Sequence, residues 1–225
     1  MELSDNTLTT LKNFSSINPN MMIRSGNTIK TISEARTVLA TAGIVEEFPI
    51  DFGIYDLNEF MGVLGLVDKP SLKFQDDFVI VNDSTGRSKV KYFYSSEDTL
   101  TTPQKDITMP QANVKFTLDN DTMNKLKRAA STLGHSEICI SGKDGVLSLS
   151  VVDSQNMTSN AFSIDVDGEF AEDDTFNFIL STNNLKILPG DYEVEISSKL
   201  ITQFSHKSLD VKYWIALEKS STFGV

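Results

Sequence analysis

The residues best placed to do chemistry are cations gathered on one short segment. Between Asp119 and Thr132, Lys125, Lys127 and Arg128 meet only Asp119 and Asp121. Both carboxylates fall in the first turn of the helix this segment predicts, where the positive end of the helix dipole favours them. At 100° per residue from Met123, the apolar Leu126, Ala129, Ala130 and Leu133 share an arc from about 240° to about 340° and face a core. Arg128 and Lys125 fall near 140° and near 200°, on the opposite side, and Lys127 lies on the flank. Lys12 takes the place of Lys127 on an earlier helix. Lys186 is the only charge in Ser181 to Ile187, which reads as another helix. Such faces suit an anion, a nucleic-acid backbone above all, because Lys and Arg neutralise phosphate. An ordinary solvated helix surface also carries lysines, and both readings stay open at this point. The segment Asp56 to Val67 argues against the anion reading, since Glu59 is its only internal charge and Gly62 and Gly65 stand where side chains could be.

Catalysis has less to work with. His135 and His206 each stand alone in polar segments, and no nucleophile elbow, zinc spacing, Walker loop or dinucleotide fingerprint is present. Asp76-Asp77 and Glu172-Asp173-Asp174 could hold a divalent cation, but they sit in turns and lack the stepped oxygen ligands of a calcium loop. No catalytic residue, metal or cofactor is expected.

The chain has 225 residues, 40% of them hydrophobic and 23% charged, which supports a buried core. Its net charge of −11 tells against a protein coated in phosphate contacts, yet a summed charge does not exclude a local basic strip. Cys139 is the only cysteine and falls in an apolar strand, so a buried structural thiol is expected. The N-terminus lacks the pattern of a signal peptide, and the uncharged apolar stretch Met61 to Val67 is far short of a membrane span. A soluble intracellular protein with no membrane partner is expected.

The elements that position the cations come in two copies. Leu3, Thr7, Leu8, Leu11 and Lys12 align with Leu118, Thr122, Met123, Leu126 and Lys127; after one inserted residue, Ser25-Gly26 aligns with Ser141-Gly142. In the first copy a helix capped within Ser4-Asp5-Asn6 precedes strands at Met21 to Ile23, Thr28 to Ile32, Val38 to Ile44 and Phe48 to Tyr55. Asp56 caps the second helix, and Ser71 to Val81 and Lys89 to Tyr94 read as strands. Residues 95 to 111 are polar with two prolines and read as a connector. The second copy predicts strands at Val114 to Leu118, Ile138 to Ser141, Val146 to Val152, Ala161 to Val166, Phe176 to Leu180, Tyr192 to Ser197, Leu200 to Phe204 and Leu209 to Leu217. The expectation is a duplicated α+β domain with mostly antiparallel sheets and two short helices per domain, residues 1–110 with the connector and residues 111–225.

Several strings carry a resemblance. Thr10-Leu11-Lys12-Asn13-Phe14-Ser15-Ser16-Ile17-Asn18, Ile54-Tyr55-Asp56-Leu57-Asn58-Glu59-Phe60 and Leu64-Gly65-Leu66-Val67 resemble the DNA polymerase sliding clamps of contractile-tailed bacteriophages. So do Thr175-Phe176-Asn177-Phe178-Ile179, Asn184-Leu185-Lys186, Pro189-Gly190-Asp191-Tyr192 and Ala216-Leu217-Glu218. The resemblance spans Leu3 to about Ser221. It implies the duplicated processivity fold, arranged as a homotrimeric ring in which helices line a hole around duplex DNA and sheets form the outer wall. It implies no enzymatic activity. The implied partners are the replicative DNA polymerase, an ATP-driven clamp loader and factors of late transcription.

On that resemblance Lys12, Arg128 and Lys186 match basic positions of the family, whereas Lys125 and Lys127 rest on the helical-face argument. Arg24 is also basic in both, with its direction undetermined by a strand position. Clamps receive partner peptides in an apolar pocket near the connector, for which Leu100, Ile107, Met109, Tyr213 and Trp214 are the candidates here; packing between domains would use the same residues. Two other functions remain to be separated from the clamp: a viral structural or assembly protein of duplicated β-rich domains without a DNA role, and a carboxylate hydrolase using the acidic turns.

Overall fold

A computed structural model describes residues 1–83, 85–156 and 158–224. The chain forms two compact units, Met1–Asp106 and Ile107–Val225. In the first, helix α1 (Asp5–Ile17) is followed by β1 (Met21–Ile23), β2 (Gly26–Ile32), β3 (Val38–Phe48) and β4 (Phe52–Ile54). Helix α2 (Leu57–Leu64) comes next, then β5 (Ser71–Phe74), β6 (Phe78–Asn82) and β7 (Lys89–Phe93). In the second unit β8 (Val114–Leu118) leads into α3 (Asn120–Leu133), β9 (Glu137–Lys143), β10 (Val146–Val152) and β11 (Phe162–Val166). The remaining strands are β12 (Gly168–Glu169), β13 (Phe176–Ser181), β14 (Tyr192–Ser197), β15 (Ile201–His206), β16 (Val211–Ala216) and β17 (Thr222–Phe223).

The pairings within each unit are antiparallel, and the strands of the first unit recur in the second, which adds the short β12 and β17 and pairs β9 with β10 where β1 and β2 form no ladder among the described residues. The β1–β4 pair of the first matches β9–β13 of the second, and the hairpin β2–β3 matches β10–β11. The meander β5–β6–β7 matches β14–β15–β16. Even the strand before the helix has its counterpart: Glu2 bridges Ser71 on β5, where β8 pairs with β14. Beyond each meander the chain returns alike, with Ser95 N donating to Gly53 O at 3.0 Å and Glu218 N to Ile179 O at 2.8 Å. The duplication inferred from residue spacing is therefore a duplication of topology.

Register corrects one detail of it. The helix caps Ser4 and Asp119 stand 115 apart, but Met21 opposes Ile54 as Ile138 opposes Leu180, a spacing of 117. Two residues are inserted, so Ser25 corresponds to Gly142 and the repeated Ser-Gly pair is out of phase. The burial pattern agrees, since Met21 and Ile23 are buried like Ile138 and Ile140, while Met22 and Cys139 face the other side. Cys139 is accordingly half-buried instead of fully enclosed, with its thiol pushed up to about 11 mainly by the burial it does have and by nearby Glu137.

Local chemistry accounts for the helices. Ser4, Asp56 and Asp119 cap α1, α2 and α3, their side chains accepting from Thr7 N, from Asn58 and Glu59 N, and from Thr122 N. The helix expected over Ser181 to Ile187 does not form: Thr182–Asn184 make one 3-10 turn. Leu185 leaves the helical region at ψ 49°, and the buried side chains are Leu185, Ile187 and Leu188, a spacing no single helical stripe produces. The run Ser71 to Val81 is also two strands, folded back where Gln75 N donates to Phe78 O at 2.9 Å. In the first unit the core gathers Phe48, Phe52 and Phe74, with Phe60 against Tyr92. In the second, Met123 and Leu126 of α3 meet Ile138, Leu149, Val194 and Phe204 of the sheets around a gap of only about 20 Å³.

Candidate nucleic-acid interface

Helix α3 presents what its spacing predicts. Met123, Leu126 and Ala130 are buried, while Asn124, Lys125, Arg128, Ser131 and Thr132 are exposed. Lys125 is tied to Asp121 one turn earlier, Nζ to Oδ2 at 2.6 Å, so part of its charge is used within the helix. Lys127 lies half-buried on the flank, and burial alone pulls its ammonium below the usual lysine range. Arg128 is exposed at the middle of the outer face.

The N-terminus of α3 is pinned from outside the helix. Asn120 N donates to Asp191 Oδ1 at 2.8 Å, and Gly190 N donates to Asn120 Oδ1 at 3.1 Å. Asp119 itself accepts from Thr122 N at 2.7 Å, and that hydrogen bond holds its carboxyl below the usual range. These contacts fix which face α3 turns outward.

On α1 the exposed residues are Asp5, Asn6, Thr9, Lys12 and Ser16, so Lys12 is the only cation of a face that is neutral overall. The acid that anchors α1 comes from a strand. The register of β2 and β3 shifts between Gly26 and Thr28, a bulge in the hairpin, and Glu46 just before the end of β3 accepts from Ser4 N and from Thr7 Oγ1. Helix α2 exposes Asn58, Glu59 and Gly62 and no cation. Lys186 is exposed just past the 3-10 turn. Arg24 does not offer a free guanidinium: it is paired with Asp51 at 3.0 Å and with Glu97.

The peptide-pocket candidates divide. Leu100 lies in the first unit against Gly53, and Ile107 and Met109 are half-exposed in the segment before β8. Tyr213 has no exposed surface; it accepts from Leu188 N at 3.2 Å while Tyr192 Oη donates to Leu188 O at 2.6 Å. Burial pushes both phenols well above the usual range. Tyr213 is thus a core residue, and an apolar strand in a short sequence gave no sign of which alternating positions turn inward. Trp214 beside it is 9% exposed, and its Nε1 has no hydrogen-bond partner among the described residues.

The other chemistry-bearing residues are occupied structurally. His206 donates from Nε2 to Pro189 O at 3.2 Å and accepts at Nδ1 from Ser208 N and Leu209 N, which tucks the loop before β16. His135 Nε2 lies 2.7 Å from Asn160 O. Asp76-Asp77 occupy the β5–β6 turn and Glu172-Asp173-Asp174 the turn before β13, and no cluster of metal-ligating side chains occurs among the described residues. Sequence reasoning missed Glu46 and Asp191, which orient the two helices from positions far along the chain.

Comparison with known proteins places this geometry in context. Residues 4–100 match the DNA polymerase processivity factor family and residues 115–219 the C-terminal part of the gp45 sliding clamp. The sliding clamp of Vibrio phage KVP40 is 34% identical over 97% of this chain and 99% of its own length. Those of Escherichia phage RB69 and Enterobacteria phage T4 are 33% and 30% identical, each over 99% of both chains. Among solved structures, the PCNA2–PCNA3 complex of Sulfolobus tokodaii superposes with a TM-score of 0.69 at 15% identity, over 97% of this chain and 98% of the other. The Proliferating Cellular Nuclear Antigen of Entamoeba histolytica gives 0.68 at 15% identity, over 94% of each. At that identity the structures attest the fold, and the phage proteins attest the family.

Proposed function

Since the chain belongs to the sliding-clamp family, the processivity factors of DNA polymerase, we propose that it closes as a homotrimeric ring around duplex DNA and tethers the replicative polymerase there. A processivity factor of this kind catalyses no reaction; it holds and slides. The observation that carries the DNA reading is the outer face of α3, where Arg128 and Lys125 are exposed and Lys127 flanks them in a chain of net charge −11. Three subunits would repeat this face, with Lys12 and Lys186, around the hole. Few, sequence-blind phosphate contacts suit sliding, because they leave no deep energy well along the duplex. The acidic remainder of the surface discourages DNA from binding elsewhere.

Ring closure is supported by two sheet edges. β7 pairs on one side with β6, and β11 pairs on one side with β10, so each offers a row of backbone donors and acceptors to another chain. Their outward side chains are complementary in charge: Lys89 and Lys91 with exposed Phe93 on β7, Ser163 and Asp165 on β11. In this reading β7 of one subunit pairs with β11 of the next, a heterologous contact that closes after three copies.

An ATP-driven clamp loader, factors of late transcription and a site of action in the cytoplasm of the infected bacterium complete the proposal. For a partner peptide, Leu100, Ile107, Met109 and Trp214 remain candidates, without Tyr213. Light scattering after size exclusion is expected to give three times 24.9 kDa, and the protein to extend polymerase runs on primed circular DNA only when a loader is present. A monomer at micromolar concentration, or processivity independent of a loader, would overturn the ring.

A further inference from the structure

The acidic surface of the chain is interrupted on one sheet face. In the meander β5–β6–β7 alternate side chains turn away from the core: Lys73 on β5, Phe78 and Ile80 on β6, and Lys89, Lys91 and Phe93 on β7. Register gathers them. Lys73 and Lys91 both lie opposite Ile80, Lys89 lies opposite Asn82, and Phe78 opposes Phe93. The Lys91 ammonium stands 4.2 Å from the centre of the Phe78 ring and 5.8 Å from that of Phe93, which is 63% exposed. None of the three lysines has an ion pair among the described residues. Asp83, in the turn after β6, is occupied by the Thr85 hydroxyl and the backbone N–H groups of Arg87 and Ser88. Asp76 and Asp77 lie at the other end, before Phe78. The matching meander of the second unit is different. There Glu193 pairs with Lys207 at 2.9 Å and Glu195 with Lys115 at 2.8 Å, and Gln203 Nε2 donates to Glu195 Oε2 at 3.0 Å. One topology carries a neutralised face and an unneutralised one, so the fold itself does not call for the lysines of the first.

We propose that this outward sheet face of the first unit binds single-stranded nucleic acid. Three lysines gathered without carboxylate partners repel one another, and a polyanion relieves that repulsion. The rings beside them select the kind of polyanion. A single strand offers a base to stack on an exposed ring such as Phe93 and a phosphate to the neighbouring lysine, the combination by which sequence-blind single-strand binders work. A duplex keeps its base faces inside the stack, so it gains the charge and none of the stacking, and the acidic surroundings still turn it away. An acidic protein segment would satisfy the lysines but leave the rings without a stacking partner. Successive rows on one strand face are about 7 Å apart, and three rows give room for about two or three nucleotides. Pairing of the β7 edge with another chain uses backbone groups and leaves these side chains on the open face. Every residue of the face belongs to one unit, so the site exists whether or not a ring forms.

The test titrates the whole protein into a fluorescein-labelled oligothymidylate of about twelve nucleotides, read by fluorescence anisotropy at several salt concentrations. With about three phosphates neutralised, log affinity is expected to fall against log salt with a slope of about −2. Lys73→Glu should weaken binding by about tenfold and Lys73→Gln by about threefold, while Lys73→Arg retains it. Phe93→Leu, which keeps apolar bulk but loses the ring, should weaken binding by about fivefold. Lys73 lies on β5, two strands in from the β7 edge, so its variants carry the test even where Phe93→Leu loosens assembly. An unchanged thermal midpoint and light-scattering mass in the Lys73 variants establish that folding and assembly are not the cause. Indifference to Lys73→Glu and Phe93→Leu overturns the proposal. So does displacement of the probe by duplex DNA or by an oligoglutamate peptide as readily as by unlabelled strand, since the face would then read charge alone. A loss with Arg128→Glu as large as that with Lys73→Glu also overturns it, because the strand would then lie along α3.

Discussion

Helices α1 and α3 occupy the same place in duplicated units, yet one exposes a face with a single cation and the other a face with two, flanked by a third. Their anchors differ as well. The N-terminus of α1 has a neutral cap, Ser4, and borrows a carboxylate from Glu46 on a bulged strand; α3 has a charged cap, Asp119, and is braced by Asp191 from the loop before β14. What the units keep in common is the alternation of buried side chains and the strand pairing that follows from it. Topology rests on apolar register, which a slip of one residue would turn inside out. Surface charge and cap identity are free to diverge around it. In the proposed ring, the electrostatic grip on DNA is then carried unevenly, mostly by the second unit.

The largest expected effect breaks the appearance of symmetry in the Ser-Gly pairs. Gly26 has φ +108° and open space around its Cα, whereas a Cβ on Gly142 would come within 2.3 Å of the Phe176 ring. That ring is stacked on Phe178 at 5.1 Å and set edge-on to Phe170 at 5.2 Å, so it cannot swing away. Gly142→Ala is expected to lose about 2 kcal/mol by overpacking. Gly26→Ala should lose about 1 kcal/mol, from backbone strain alone. Urea unfolding midpoints give the order, and a Gly142→Ala protein as stable as the parent would mean that the Phe stack is soft.

Next in size is the charge contrast itself. Arg128→Glu is expected to shorten retention of the loaded protein on nicked circular DNA by about tenfold at physiological salt, and Lys12→Glu by about threefold. The double variant should lose more than either and still form trimers. Equal losses for the two single variants would show that α1 and α3 share the grip; no loss for Arg128→Glu would mean that α3 does not face the duplex.

How much of this was legible beforehand depended on distance along the chain. Ser4, Asp56 and Asp119 announce their helices because a cap acts within three residues, and the face of α3 follows from 100° steps. Most strands were visible as apolar alternation. Ser181 to Ile187 misled because Leu185, Ile187 and Leu188 are apolar for burial in an irregular segment, and a short window does not separate that from a helical stripe. The fold-back at Gln75 was hidden inside a continuous strand-like run. The insertion of two residues between helix and strand escaped notice because Ser-Gly recurs by chance one position away. Glu46 and Asp191 were out of reach in principle: they act on residues 42 and 71 positions distant, and only the paired strands bring them there.

The smallest expected effect separates those two anchors by pH. Burial alone would raise the Glu46 carboxyl, but hydrogen bonds from Thr7 and Ser4 outweigh it and hold the group below its ordinary value of 4.5. A carboxyl depressed in the folded state contributes stability that is complete above its unfolded value and disappears as pH falls through the folded one. Glu46→Gln should therefore cost about 1 kcal/mol at pH 7, visible as a lower thermal midpoint, and the gap to the parent should close below about pH 4. Asp191→Asn keeps an oxygen for Asn120 N and should cost less. A gap for Glu46→Gln that persists undiminished at low pH would show that α1 is held there by shape and not by charge, and the contrast between the two helices would reduce to their outer faces.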